Sequence, residues 1–262
     1  MAGFGNLIKA LQLFTLERPQ WTVEEAAIAL EVSNSSAYRY FATLNEAGLI
    51  VSTASGSYTL GPAIIQLDRQ IRLTDPLLES AVPVMTELVK FATDRTTILL
   101  SRVFKDNVIC LHQILNQGGV EPRVWHERGA PRPLFRGATA RVILANFPPR
   151  QLRRIYDAHA EEIAALGLGQ DLESFRKGLK EIRKNGYAVT EGEIDSEHVA
   201  VAAPIFDDNK RILGSLSYIL DREDADDLII ARLIPLIQGG AREIETAMGL
   251  MQNHPGHQAR KA

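Results

Sequence analysis

A single cysteine in 262 residues excludes an intrachain disulfide. That residue, Cys110, lies in Val108-Ile109-Cys110-Leu111, a buried-strand context where cysteine serves as a small hydrophobe. No apolar run is long and uncharged enough to span a bilayer. The first residues, MAGFGNLIKALQLF, lack the charged n-region and cleavage site of a secretory signal. The cytoplasm is therefore the expected compartment, with no membrane partner. Neither charge sign dominates, the net being −3. Internal repeats and low-complexity segments are absent. What the chain does have is length for two domains of about 100–150 residues and 45% hydrophobic residues to build their cores.

Trp21 to Gly61 carries the strongest local pattern. Thr22 and Glu25 have capping-box spacing, and Val23, Ala26, Ala27 and Leu30 follow at helical intervals. Glu31-Val32-Ser33-Asn34 breaks the stripe, and Ser33 or Asn34 can cap a second helix. Ala37, Tyr40 or Phe41, Leu44 and Ala47 face its core; Gly48 stops it. Leu49-Ile50-Val51 and Ser57-Tyr58-Thr59-Leu60 read as strands around an Ala54-Ser55-Gly56 turn. An upstream helix is expected over Asn6–Leu16. This is a winged helix-turn-helix, the module that sets a helix into the major groove of DNA. Asn34, Ser35, Ser36, Tyr38, Arg39 and Thr43 occupy the outer face of the second helix and are the candidate DNA-binding residues. Residues 1–75 hold five basic and seven acidic side chains, a net of −2. Phosphate neutralisation drives non-specific binding, so one such module should bind weakly and depend on dimerisation.

The expected domains are a DNA-binding domain at 1–61, a linker helix at 62–75, an effector domain at 76–250 and a flexible tail at 251–262. In the linker helix, Ile64, Leu67 and Ile71 share one face and suit a dimer seam. Helices are expected from Asp75-Pro76 to Ala92, Ala138 to Asn146, Pro148-Pro149 to Ala165, Leu172 to Lys184 and Asp224 to Leu250. Strands are expected at Thr96–Phe104, Asn107–Leu115, Pro122–His126, Tyr187–Thr190, His198–Phe206 and Arg211–Ile219. Arg128 to Arg136 reads as a loop. This mixed order with adjacent hairpins predicts an α+β sheet with helices packed on it.

Four segments together resemble the IclR family of bacterial transcription regulators across nearly the whole chain. They are SSAYRYFATLNEAGL (Ser35 to Leu49) followed by Tyr58-Thr59-Leu60-Gly61, PLFRGATARVILA (Pro133 to Ala145), LKEIRKNGYA (Leu179 to Ala188) and VAVAAPIFDD (Val199 to Asp208). The resemblance implies an N-terminal winged helix and a C-terminal GAF-like domain that binds a small molecule. It implies homodimers, often paired into tetramers, that act on operator DNA, and effectors that are commonly small organic acids, including aromatic ones. It places the start of the helix at Ala138 in the effector pocket, with Val124, Thr190, His198, Ala200, Ser217 and Ile219. The chain departs from the family where Asn34 replaces a frequent basic residue. It departs again at Arg136 and Arg141, and where Glu197, His198 and Ala200 stand near a frequent glycine and cysteine.

The residues around that helix make an anion the expected ligand. Its first turn leaves backbone N–H groups unpaired at the positive end of the helix dipole. Thr139 adds a hydroxyl, and Arg136 can pair bidentately with a carboxylate. The carboxylate is expected on Ala138, Thr139 and Ser217, with Trp125, Phe135 and Tyr218 as aromatic walls, although Tyr218 should point away from Ser217. Against this, Glu191, Glu193 and Asp195 alternate, would share one strand face, and would repel an anion if that face met the pocket.

Catalysis is the second reading. Ser217, His198 and Asp195 suggest a triad and Glu191 with Glu193 a carboxylate pair, yet the chain has no nucleophile elbow, His-x-x-x-His or paired cysteines. His112, His126 and His198 are better read as core or rim residues than as metal ligands, so no catalytic residue, metal or cofactor is expected. A ligand-free structural dimer is the third reading, and the polar residues Arg136, Thr139, Thr190, His198 and Ser217 on otherwise apolar elements speak against it.

Overall fold

The computed structural model describes residues 2–116 and 128–252, and the chain divides into two units, Met1–Asp75 and Pro76–Ala262. In the first unit, α1 (Ala2–Gln12), α2 (Val23–Ala29) and α3 (Asn34–Glu46) are followed by a hairpin of β1 (Ile50–Ser52) and β2 (Tyr58–Leu60), then α4 (Pro62–Thr74). The capping box forms as its spacing predicts: Glu25 N–H donates to the Thr22 hydroxyl, and the Glu25 carboxylate accepts from Thr22 N–H. Ser33 caps α3, accepting from Ser36 N–H. Phe41 is the fully buried aromatic of α3 and meets the Tyr58 ring edge-on at 5.1 Å, while Tyr40 is only partly buried and Ala47 is exposed. The winged helix is thus built on a core of Ala10, Phe14, Trp21, Ala26, Phe41, Leu44 and Ile50.

The first helix ends earlier than the periodicity predicts. The Trp21 indole N–H donates to the Leu13 carbonyl at 2.9 Å. That bond holds residue 13 in a turn, keeps Phe14 in the core and leaves Leu16 almost fully exposed. On α4 no residue is buried, and Leu67 and Ile71 are about half exposed.

The second unit is a six-stranded antiparallel sheet covered by helices. Its elements are α5 (Pro76–Leu88), β3 (Thr97–Phe104), β4 (Asn107–Leu115), β5 (Pro131–Pro133), α6 (Gly137–Leu144), α7 (Pro149–Ala165), α8 (Leu172–Asn185), β6 (Ala188–Glu191), β7 (His198–Phe206), β8 (Ile212–Asp221) and α9 (Asp227–Gln252). The strand order is β5-β4-β3-β8-β7-β6. Alternation divides the side chains between two faces. Ile98, Leu100, Val201, Ala203, Leu216, Tyr218 and Leu220 pack against α5 and α9. The opposite face carries α6, whose Ala138 and Val142 meet Ala188 and Ala202. The observed α+β class is the one expected.

Several local expectations are corrected. The helix beginning at Pro76 gives way at Leu88 to a 3-10 turn, Val89–Phe91. The stretch read as a loop contains β5; its two prolines lack ladder donors, which an edge strand tolerates. The acidic trio does not share a strand face. β6 ends at Glu191, and Gly192 turns the chain away at φ +66°. The expected strand Pro122–His126, with Val124 and Trp125, lies outside the described residues, as does the tail beyond Gln252.

Candidate functional site

The outer face of α3 is as the sequence suggests. Asn34, Ser35, Tyr38, Arg39 and Thr43 are exposed and Ser36 is partly so. Tyr38 is a large aromatic left 64% exposed. Three of the candidate hydroxyls are locally engaged: that of Thr43 donates to the Arg39 carbonyl at 3.0 Å, and the Ser33 hydroxyl pairs with those of Ser35 at 3.1 Å and Ser36 at 3.0 Å. Arg39 is the sole basic residue among the six, and it reaches no farther than Ser36 at 3.5 Å.

In the second unit a cavity of about 660 Å³, mouth included, opens between the sheet, the start of α6 and the loop after β6. Seven of the nine residues proposed for the effector line it: Arg136, Ala138, Thr139, Thr190, His198, Ala200 and Ile219. Ser217 does not. It is fully buried and pairs with the Thr139 hydroxyl at 2.9 Å. Val124 lies outside the described residues.

The floor is mostly apolar, with the buried Ser101 of β3 as its polar member. Leu99, Val108, Cys110, Ala200 and Ile219 project from β3, β4, β7 and β8. Of the expected aromatic walls, Trp125 lies outside the described residues and neither Phe135 nor Tyr218 lines the cavity. Phe135 is buried in a separate core with Ile143, Phe175 and Leu179. Tyr218 points to the other face, as alternation requires, and its phenol donates to the Leu88 carbonyl at 2.9 Å. Burial pushes the Tyr218 phenol pKa up. Burial also raises the Cys110 thiol to about 11, so this cysteine is neutral and packs as a hydrophobe.

The charged groups are arranged differently from the sequence expectation. The first two N–H groups of α6 are already used. Gly137 N–H donates to Glu193 Oε2 at 3.1 Å, and Ala138 N–H donates to Thr190 Oγ1 at 2.9 Å. Glu193 Oε1 also meets the Arg141 guanidinium at 2.6 Å. Burial lowers the Arg141 pKa and the Glu193 charge opposes that shift, leaving the arginine ionised. Gly137 takes φ +78°, and a Cβ there would stand 2.8 Å from Ile194 Cδ1, so the loop rests directly on the helix start. Asp195 pairs with His198 Nδ1 at 3.2 Å, and Asp221 approaches His198 Nε2 at 3.4 Å. Glu193 and Asp195 therefore line the cavity rather than a solvated edge; only Glu191 is exposed, paired with Arg222 at 2.5 Å.

Sequence reasoning missed Glu193, Ile194 and Asp195 as lining residues, and it missed Arg132. Arg132 is half-buried and faces Val108 across the β4–β5 register, so it shares the cavity side of the sheet. Burial lowers its pKa. Among the described residues it makes no ion pair. A proline-flanked arginine in an irregular segment gives no periodic signal from which to find it.

The triad considered above is not assembled. Ser217 bonds Thr139 instead of His198, and it lies four residues along β8 from Asp221, the register partner of His198, or about 13 Å. Among the described residues no three His, Cys, Asp or Glu side chains converge as a metal site, and no helix is long and apolar enough to cross a membrane.

Residues 73–246 match the family model for the bacterial transcriptional regulator IclR C-terminal domain. The chain is 26% identical over 216 residues to the HTH-type transcriptional regulator KipR of Bacillus subtilis, covering 81% of this chain and 84% of that one. Its fold is similar to the IclR transcriptional regulator of Alicyclobacillus acidocaldarius, with TM-score 0.75, 24% identity, and coverage of 95% and 99% of the two chains. It is also similar to an IclR homolog from Microbacterium hydrocarbonoxydans complexed with 4-hydroxybenzoate, with TM-score 0.71, 18% identity and the same coverage. The family model spans well over half of the chain, and the chain belongs to the IclR family of bacterial transcriptional regulators.

Proposed function

We propose that this regulator binds double-stranded operator DNA through α3 and responds to a small organic acid held in the cavity of its second unit. The carrying observation is the cavity: a mostly apolar floor with Arg132 and Arg136 at its edge, neither ion-paired among the described residues. A guanidinium fork suits a carboxylate, and the floor suits a hydrocarbon body. The 4-hydroxybenzoate held by one structural relative belongs to this ligand class. Asn34, Ser35, Ser36, Tyr38, Arg39 and Thr43 are the proposed DNA-contacting residues, with Arg39 the main guanine or phosphate contact.

The first unit is acidic, so the proposed assembly is a homodimer whose two modules read half-sites about one helical turn, or a multiple, apart. The unburied apolar face of α4 supports Leu67 and Ile71 as part of the seam. Sedimentation at micromolar concentration showing only monomer refutes the dimer. The whole reading is tested by fluorescence anisotropy of promoter DNA titrated with the protein, with and without a panel of organic acids. An acid that shifts the binding curve supports it. Failure of every acid refutes the effector half, and failure to bind the promoter refutes the DNA half.

A further inference from the structure

A second cavity, about 530 Å³ with its mouth included, lies between α6, α8 and the loop joining α7 to α8. It shares no lining residue with the first. Its size falls in the range of small-molecule pockets, about 300–1,000 Å³. Two of its walls are buried rings, Phe135 and Phe175, and Leu144 and Leu179 stand beside them. Such walls favour an apolar body, and aromatic rings pack well edge-on or offset against another ring.

Arg141 is the one lining side chain with a polar group among the described residues. Its charge is already matched, since Nη2 meets Glu193 Oε1 at 2.6 Å. Its donors are not all used. Nε is buried without an acceptor, and Nη1 makes no hydrogen bond among the described residues. A buried donor left unpaired costs stability, and a guanidinium carries five N–H groups to satisfy. The missing partner is an acceptor. A neutral one fits best, because a second carboxylate here would meet the like charge of Glu193.

Gly178 marks the mouth. It lies within α8, its φ is not positive, and a Cβ there would meet nothing within 4 Å. Glycine is a poor helix former. Neither the backbone nor packing requires it at this position, and any larger residue would project into open space beside the cavity.

We propose that this cavity is a second ligand site, taking a neutral single-ring aromatic molecule whose carbonyl or similar acceptor receives a hydrogen bond from Arg141. This goes beyond the organic-acid reading and does not depend on it.

Fluorine NMR titration of the full chain tests this with three probes: 4′-fluoroacetophenone, its alkene isostere 4-fluoro-α-methylstyrene, and 4-fluorobenzoate. The ketone should bind at least about fivefold more tightly than the alkene, the worth of one hydrogen bond to a charged donor. Arg141→Met should erase that preference. Gly178→Leu should weaken ketone binding at least about tenfold. Any binding of 4-fluorobenzoate that survives Gly178→Leu belongs to the first cavity. Backbone amide shifts locate the ketone without any variant: those of Gly167 and Gly178 should move, and those of Thr190 and Ile219 should not. No ketone binding up to its solubility limit overturns the proposal. So does equal affinity for ketone and alkene, or ketone binding that moves Thr190 and Ile219 and is unchanged in a folded Gly178→Leu variant. Each of these failures leaves the organic-acid reading standing, because that reading concerns a charged ligand and the first cavity.

Discussion

Removing the Glu193 carboxylate strands a guanidinium. The Arg141 side chain is 14% exposed and that of Glu193 is 20% exposed, with a 2.6 Å contact between them. Arg141 Nε is buried and has no hydrogen-bond acceptor among the described residues, so neutralisation of this cation rests on Glu193. Breaking a fully buried pair from one side costs about 3–5 kcal/mol. Here a fifth of the acid still meets solvent, which argues for about 2–3 kcal/mol in Glu193→Ala. For a unit of this size, that lowers the unfolding midpoint by roughly 4–12 °C. Arg141→Met should cost less, because Glu193 keeps its bond to Gly137 N–H and can turn toward the cavity mouth. The double variant should be less destabilised than the sum of the singles by at least about 1 kcal/mol. Calorimetry of the full chain, following the transition of the second unit, measures all four proteins. Strict additivity, or a Glu193→Ala loss below about 0.5 kcal/mol, would refute the view that Glu193 anchors the loop through Arg141.

Other perturbations separate the two units and the two faces of the sheet. Arg39→Ala should lower operator affinity about tenfold or more, by the worth of one bidentate contact, with unchanged circular dichroism; wild-type affinity in a folded variant would remove Arg39 from the interface. Thr139→Val combined with Ser217→Ala deletes both partners of the 2.9 Å hydroxyl pair. It should weaken ligand binding and leave operator binding intact, and equal ligand affinity would show that this wall is not used. With its pKa near 11, Cys110 should be only about one part in a thousand thiolate at pH 8. Its alkylation should be slow, rise with pH toward 11 and fall further when a ligand fills the cavity; fast alkylation at pH 8 in the folded protein contradicts the burial argument.

What the sequence revealed and what it hid divide along the range of the interactions. The capping box at Thr22, the stop of α3 at Gly48 and the stop of α8 at Gly186 rest on bonds spanning a few residues, and each forms where its spacing indicates. Strand alternation likewise separated Ser217 from Tyr218 correctly. The misreadings involve distant partners. The end of α1 depends on Trp21, eight residues away from Leu13. The place of Phe135 depends on α8, which packs over it and draws it out of the cavity wall. Glu193 binds Gly137 across 56 residues of chain. No local pattern encodes that bond, so a helix start that reads as an open anion site is closed by the protein's own carboxylate.

The small residues around α6 explain why this site can combine a fixed polar end with a mostly apolar floor. Ala138 and Val142 lie on Ala188 and Ala202, while Ser215 donates to the Thr139 carbonyl at 3.0 Å. Short side chains on both surfaces bring the helix close to the sheet, near enough for sheet hydroxyls to reach its first turn. Thr190 and Ser217 then hold Ala138 and Thr139 from below, and Glu193 holds Gly137 from the side. Those bonds immobilise the polar end before any ligand arrives. A ligand group bound there gains from donors and acceptors already oriented and loses little to their ordering. The floor has no such constraint, since aliphatic contacts are non-directional. Substitutions at Leu99, Cys110 or Ile219 should therefore change the size of ligand accepted, whereas substitutions at Thr190 or Glu193 should change the chemistry accepted.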